Sequence, residues 1–313
     1  MPDFLVIGAP KAGTTALHAV LSEHPGLYLS AIKEPKFFLT DGPPPTKGGP
    51  GDTLTYREHV WRRADYKALF APAPPGTLRG ESTPLYLYDR AAMRRIRDTL
   101  PAARLIVIVR DPVERAHSNW THLWSAGLEP IADFVRACGE EERRIAAGWA
   151  SFWHYIGLGR YGEQLAYLFT LFPREQVLVL RYRRLVDEPA QTLDRICAFL
   201  GVETGLLTEI PRQNVTSHPE STLAHRAVSV AQRAASVIST RQCLVPNVAQ
   251  LRYSRHRPSG VRTRAGRSSD SVASSCLPML SNVSNLSPSA DRATATAYPR
   301  PGLCPNPAGR RNR

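Results

Sequence analysis

The feature that most restricts the fold of this chain is a junction near its start. FLVIG (4–8), apolar up to its closing glycine, runs into GAPKAGTT (8–15), and ALHAVLSEH (16–24) follows with Leu17 and Leu21 four residues apart. A run that is apolar on both faces belongs inside a parallel sheet, and leucines at i and i+4 share one face of a helix. The glycine turn between them leaves backbone N–H groups free to approach an anion, with the positive end of the helix dipole behind them. Gly8 and Gly13 keep the G-x-x-x-x-G spacing of a phosphate loop, but Thr14 stands where a nucleotide triphosphatase needs lysine, and the lysine sits at position 11. Such a turn holds a phosphate yet suits the lysine and Mg²⁺ arrangement around β/γ-phosphates poorly.

The same grammar recurs along residues 1–200. ARLIVIVR (103–110) and QVLVLRY (176–182) read as further interior strands, and amphipathic stretches at 13–24, 58–70, 89–99, 112–124, 131–147, 160–171 and 189–200 read as helices. Alternation of this kind predicts an α/β domain with a mostly parallel sheet. Asp111 reads as the N-cap of the helix at 112–124, with Pro112 in its first position and Glu114 completing a capping box. Arg110 leaves the end of its strand, where ligands collect in open α/β sheets. Ser118 lies seven residues past Asp111 and so shares its helix face. A guanidinium with a hydroxyl beside it makes a second phosphate cradle.

Taken together, PKAGTT (10–15) and RDPVERAHS (110–118) resemble the sulfotransferases that use 3′-phosphoadenosine 5′-phosphosulfate (PAPS) as donor. The resemblance extends to HPGLYLSAIKEPKFF (24–38), GESTPLYL (80–87), the stretch from Tyr161 to LFP (171–173) and VLVLRYRRLVDEP (177–189), so that it covers residues 1–220, about 70% of the chain. It is strongest toward the carbohydrate branch of the heparan type and its bacterial relatives. The resemblance implies a P-loop-like three-layer fold with helices flanking the central sheet. It places Lys11, Ala12, Gly13, Thr14 and Thr15 on the 5′-phosphosulfate and Arg110 and Ser118 on the 3′-phosphate. It also implies that Glu34 is the general base, with Lys33 and Lys36 holding it ionised and Pro35, Phe37 and Phe38 limiting water. His117 and His122 are rival bases. Lys11 neutralises charge on the leaving group, and the co-substrate needs no metal. Two departures stand out. Ser82 occupies a position where some relatives carry lysine, and PRQNVTSHPE (211–220), which resembles the loop that closes over the nucleotide, lacks the Arg-Lys-Gly of many members and offers Arg212 instead.

The implied acceptor is a hydroxyl or amine of a carbohydrate, glycolipid or small molecule. Trp120, Trp124, Trp149 and Trp153 are candidates to stack on a sugar, although aromatics at helical spacing usually belong to a core. In DGPPPTKGGPGD (41–52), eight of twelve residues are Gly or Pro, which predicts a mobile surface loop.

Charge divides the chain sharply. Of the formal net charge of +13, residues 221–313 hold +12, with 14 Arg, no Lys, no Glu and only Asp270 and Asp291 as acids. A division follows into a catalytic domain at 1–240 and a basic Arg/Ser/Pro-rich tail at 241–313, expected to be disordered. Two origins for the tail stay open: an out-of-frame reading of a GC-rich gene, or a genuine basic arm for an acidic partner. The folded part is nearly neutral, which argues against nucleic acid as its partner. The alternatives to a sulfotransferase are an atypical P-loop kinase and a basic-tailed nucleic-acid adaptor. Five cysteines at irregular spacings suggest no disulfide framework or zinc site, and the longest aliphatic runs fall far short of a membrane span. With an acid at Asp3 and no basic leader, these features predict a cytoplasmic setting.

Overall fold

The computed structural model describes residues 1–210. The boundary at 240, the tail at 241–313 and Arg212 therefore lie outside the described residues.

Five strands, β1 (Phe4–Gly8), β2 (Leu27–Leu29), β3 (Leu78–Ser82), β4 (Arg104–Val109) and β5 (Val177–Arg181), form one sheet in the order β2-β3-β1-β4-β5, and every neighbouring pair is parallel. Helices flank it, giving the P-loop-like α/β architecture that the sequence implied. All five residues of β1 are buried, as its unbroken apolar run requires. The chain leaves β1 toward β3 and β2 on one side and reaches β4 and β5 on the other, so the strand order reverses beside β1. In open α/β sheets that reversal opens a crevice at the carboxyl ends of the strands.

The helices α1 (Thr14–Leu21), α4 (Arg90–Thr99), α5 (Pro112–Ser125), α8 (Tyr161–Leu171) and α10 (Pro189–Leu200) coincide with the predicted ones to within a turn. Three elements depart from expectation. The helix expected over 131–147 is two, α6 (Phe134–Gly139) and α7 (Glu141–Ala146), each too short to be seen apart from the other in a 3.6-residue pattern. The stretch 58–70 holds only α3 (Arg63–Ala68), while α2 (Asp52–Arg57) begins at the last residue of the Gly/Pro-rich loop. Strand β3, LRGES, is too polar to read as an interior strand. Its Gly80 is dictated by packing, since a Cβ there would lie 2.2 Å from the Phe4 ring. A short helix, α9 (Tyr182–Asp187), follows β5 directly.

The main core lies around the sheet. A second, smaller apolar cluster gathers Ala116, Trp120, Leu123, Ala137, Trp153 and Tyr155 beneath α5 and the 134–155 segment.

Candidate active site

The turn after β1 delivers α1 with Gly13 at its N-cap, at φ 85°, and no side chain caps the helix. The first N–H groups of a helix have no partner within it, so this end is open to an anion. Gly13 is required twice over: its φ is left-handed, and a Cβ would come within 3.0 Å of the Tyr182 ring. Lys11 also takes a left-handed backbone, at φ 64°. Lys11, Gly13, Thr14 and Thr15 line a cleft of about 760 Å³, whereas Ala12 is fully buried and is not on its wall. Burial lowers the pKa of the Lys11 ammonium, Arg110 lowers it further, and Glu34 opposes them. These three groups therefore share one electrostatic space.

Arg110 follows β4 and lines the same cleft, as does Ser118. Its Nη1 donates to the Lys11 carbonyl at 3.3 Å, its Nε donates to Glu114 Oε2 at 3.2 Å, and its guanidinium lies 4.8 Å from the centre of the Tyr182 ring. Asp111 caps α5 as predicted, Oδ1 accepting from Val113 N at 3.0 Å and Glu114 N at 2.9 Å. The capping box is not completed. Glu114 turns instead to Arg110 and, at 3.5 Å, to Arg183. A cation is the better partner for a carboxylate at this exposed helix end.

Glu34 stands in the segment after β2 and faces the cleft. Its backbone, at φ 60°, is fixed by its N–H donating to the Ser82 carbonyl at 3.0 Å, and Lys33 Nζ pairs with its Oε1. The other expected flanks differ. Lys36 pairs with Glu58, 3.2 Å away, and none of Pro35, Phe37 and Phe38 lines the cleft. Phe37 stacks on Tyr66 with ring centres 4.2 Å apart, and Phe38 packs edge-on against Tyr66 and Tyr86. These rings anchor the Glu34 segment.

Beneath that segment lies a carboxylate whose place the sequence did not reveal. Glu81 on β3 is completely buried and accepts from Tyr66 at 3.0 Å, Tyr86 at 2.9 Å and Thr83 at 2.8 Å. Tyr86 and Thr83 in turn accept from the backbone of Phe38 and Lys36, each at 3.3 Å. Glu81 thus sits under the loop that carries Glu34. Burial pushes its pKa up to about 7 against the pull of its three hydroxyl donors. Its neighbour Ser82 hydrogen-bonds His18 at 2.9 Å, and burial lowers that imidazole to about 4.

The rest of the cleft is assembled from distant parts of the chain. Asp52, 5% exposed, accepts from Gly49 N at 2.6 Å, Ala150 N at 2.8 Å and the Trp153 indole at 2.9 Å, tying the Gly/Pro-rich segment to residues 149–153. Behind it Arg144 is buried against Glu129 at 2.8 Å and flanked by the rings of Trp149, Trp153 and Tyr155. Of the four tryptophans weighed for a sugar, Trp149 and Trp153 line the cleft, while Trp120 and Trp124 stack on each other 5.8 Å apart and do not. Of the two histidines, His122 lines the cleft and its pKa is lowered by desolvation and by Lys11. His117 packs near Trp120 and Phe134 and does not line it. Among the described residues, no group of three or more His, Cys, Asp or Glu is placed to hold a metal ion.

The "Sulfotransferase family" profile matches residues 55–205. A solved sulfotransferase from Alicyclobacillus acidocaldarius is 31% identical and superposes with a TM-score of 0.63 over 76% of this chain and 93% of that one. The chain belongs to the sulfotransferase family. Other sulfotransferases resemble it over about two thirds of its length. Human heparan sulfate glucosamine 3-O-sulfotransferase 6 is 31% identical over 64% of this chain and 53% of its own length. The human bifunctional heparan sulfate N-deacetylase/N-sulfotransferase 3 is 29% identical over 64% of this chain and 22% of its own. The chain spans about half the length of the curated 3-O-sulfotransferases it matches. These relatives overturn the cytoplasmic setting expected from the sequence, because heparan sulfate sulfotransferases act in the Golgi lumen. No helix among the described residues is long and apolar enough to cross a membrane.

Proposed function

We propose that this sulfotransferase moves a sulfuryl group from PAPS to a hydroxyl of a carbohydrate. The observation that carries the reading is convergence: Lys11 after β1, Arg110 after β4 and Glu34 after β2 line one cleft at the carboxyl edge of the sheet. In this reading Lys11, Thr14, Thr15 and the open N-terminus of α1, with Ala12 and Gly13 shaping the turn, hold the 5′-phosphosulfate. Arg110 and Ser118 hold the 3′-phosphate, and the Tyr182 ring under the guanidinium fixes its plane. Arg212 is assigned to the nucleotide side by resemblance alone.

The chemistry needs little beyond positioning and charge. An acceptor oxygen attacks sulfur in line with the departing 5′-phosphate, the S–O bond to that phosphate breaks, and the acceptor proton passes to a base. Glu34, a half-buried carboxylate on the cleft wall, is that base. Lys11 meets the charge that grows on the leaving phosphate, and the anionic donor offsets the desolvation and the Arg110 repulsion that lower its pKa. A kinase reading is not favoured, because position 14 lacks the lysine that β/γ-phosphates require and the relatives are sulfotransferases.

Calorimetric titration with adenosine 3′,5′-bisphosphate tests the donor assignment. Binding that persists without Mg²⁺ and weakens at least about tenfold in Lys11→Ala is expected. Binding only of ATP with Mg²⁺ overturns it.

A further inference from the structure

Strand β3 ends before the Glu34 segment does. Its carbonyls serve as far as they reach: Gly80 O accepts from Ser30 N at 2.9 Å, and Ser82 O accepts from Glu34 N at 3.0 Å. Beyond Ser82 two side-chain hydroxyls take over from the strand. Lys36 N donates to Thr83 Oγ1 and Phe38 N donates to the Tyr86 hydroxyl, each at 3.3 Å. Thr83 and Tyr86 are completely buried, so water cannot stand in for them.

Glu81 decides which way these bonds run. Thr83 donates to its Oε2 at 2.8 Å and Tyr86 to its Oε1 at 2.9 Å. A hydroxyl has one proton and two lone pairs. With each proton committed to Glu81, a lone pair of each hydroxyl is left for the N–H above it. The segment they hold would not keep its shape unaided, since Glu34 and Lys36 both have left-handed backbones at φ 60°. Residues with side chains stay in that conformation only where their surroundings over-determine it. Glu34 lies between the last carbonyl bond of β3 and the first hydroxyl bond, and its carboxylate faces the cleft.

Resting on the assignment of Glu34 as base, we infer that Thr83 and Tyr86, oriented by Glu81, are positioning residues that aim the Glu34 carboxylate at the acceptor proton. The chemistry is sensitive to such aim, because a displacement of about 1 Å at a catalytic group costs on the order of 10²-fold in rate. Tyr66 is a control built into the same site. It donates to Glu81 Oε1 at 3.0 Å and is equally buried, but among the described residues its hydroxyl accepts from no N–H of the Glu34 segment.

The test is a mutant cycle in the full-length protein, with radiolabelled PAPS as donor and a heparosan hexasaccharide as the acceptor probe. Tyr86→Phe and Thr83→Val are each expected to lower kcat about tenfold or more, with KM for the hexasaccharide within about twofold of wild type. Adenosine 3′,5′-bisphosphate affinity is expected to be unchanged in both, which also shows that they fold. Thr83→Ser keeps the hydroxyl and restores kcat, and Tyr66→Phe, which breaks the same kind of bond to Glu81, costs less than about threefold. In a Glu34→Gln background Tyr86→Phe is expected to cost less than about threefold as well, because the base it aims is gone. A second readout needs no acceptor. In protein labelled with carbon-13 glutamate, the carboxyl signal that Glu34→Gln deletes should titrate with its midpoint displaced by about half a pH unit or more in Tyr86→Phe and unmoved in Tyr66→Phe. If the hexasaccharide takes no sulfate even from the wild type, this titration alone decides. Equal kcat losses in Tyr86→Phe and Tyr66→Phe, a Tyr86→Phe loss that persists in full without Glu34, or an unmoved Glu34 signal overturns the inference while the base assignment stands. Full turnover in Glu34→Gln alone strikes the base assignment and the inference with it.

Discussion

The proposed donor side of the cleft and its opposite wall are built in different ways. Each donor-side group sits within a few residues of the strand that aims it: Lys11 three residues past β1, and Arg110 one past β4. The opposite wall is held by contacts across long stretches of chain. Asp52 reaches residues 150 and 153, and Trp149 and Trp153 are positioned by the buried Arg144–Glu129 pair. A strand-to-helix turn is a local device that many acceptors can share, whereas a wall tied by long-range contacts can be reshaped by changing a few distant residues. On the proposed assignment the difference teaches where specificity resides: the co-substrate is read by secondary structure, and the acceptor by tertiary structure.

Substitutions can break that comparison, and the largest effect belongs to the group between the two sides. Glu34→Gln keeps the shape and hydrogen-bonding reach of the side chain but removes the proposed base. Turnover is expected to fall by roughly 10²–10⁴-fold with adenosine 3′,5′-bisphosphate binding near normal, read from single-turnover sulfate transfer and calorimetry. Unchanged turnover would move the base to His122, which also lines the cleft and feels the Lys11 charge.

Next comes Asp52→Ala, which leaves two backbone N–H groups and the Trp153 indole without an acceptor. A stability loss of about 2–4 kcal/mol is expected. Acceptor KM should rise several-fold, while donor affinity is unchanged. A matching loss of donor affinity would show that the two sides are one cooperative unit.

The smallest effect is Glu81→Gln. The Glu81 pKa, raised to about 7, lies above the ordinary carboxyl value of 4.5, so the native state holds this proton to higher pH than the unfolded chain does. Stability from this group is therefore full below the unfolded value and lost as pH rises through about 7, by up to roughly 3 kcal/mol. Between pH 5 and 8 the wild type should lose more stability than the glutamine variant, measured as urea midpoints. His18 and His59, lowered to about 4, titrate alike in both proteins and cancel in the difference. Parallel pH profiles would mean that Glu81 titrates normally.

Residues whose role is set by neighbours in sequence were readable. The unbroken apolar runs identified β1, β4 and β5, and the Asp111-Pro112 start of α5 placed Arg110 at a strand end. The strand β3 was hidden because Arg79, Gly80, Glu81 and Ser82 are each poor strand formers, and only burial between β1 and β2 and the Phe4 ring explain them. Glu34 was found by resemblance, but its neighbours were not: Lys36, two positions on and itself left-handed at φ 60°, pairs with Glu58. No local pattern marks Asp52 or His59, whose partners and surroundings come from folds of the chain that periodicity does not describe.

The left-handed backbones at Lys11, Glu34 and Lys36 have a practical consequence. For a side-chain-bearing residue such a conformation costs on the order of 1 kcal/mol that glycine escapes. A library of this protein screened only for heat tolerance should therefore gather glycine at these three codons, and each gain would discard an ammonium or a carboxylate from the cleft. Anyone hardening this scaffold has to hold those positions fixed.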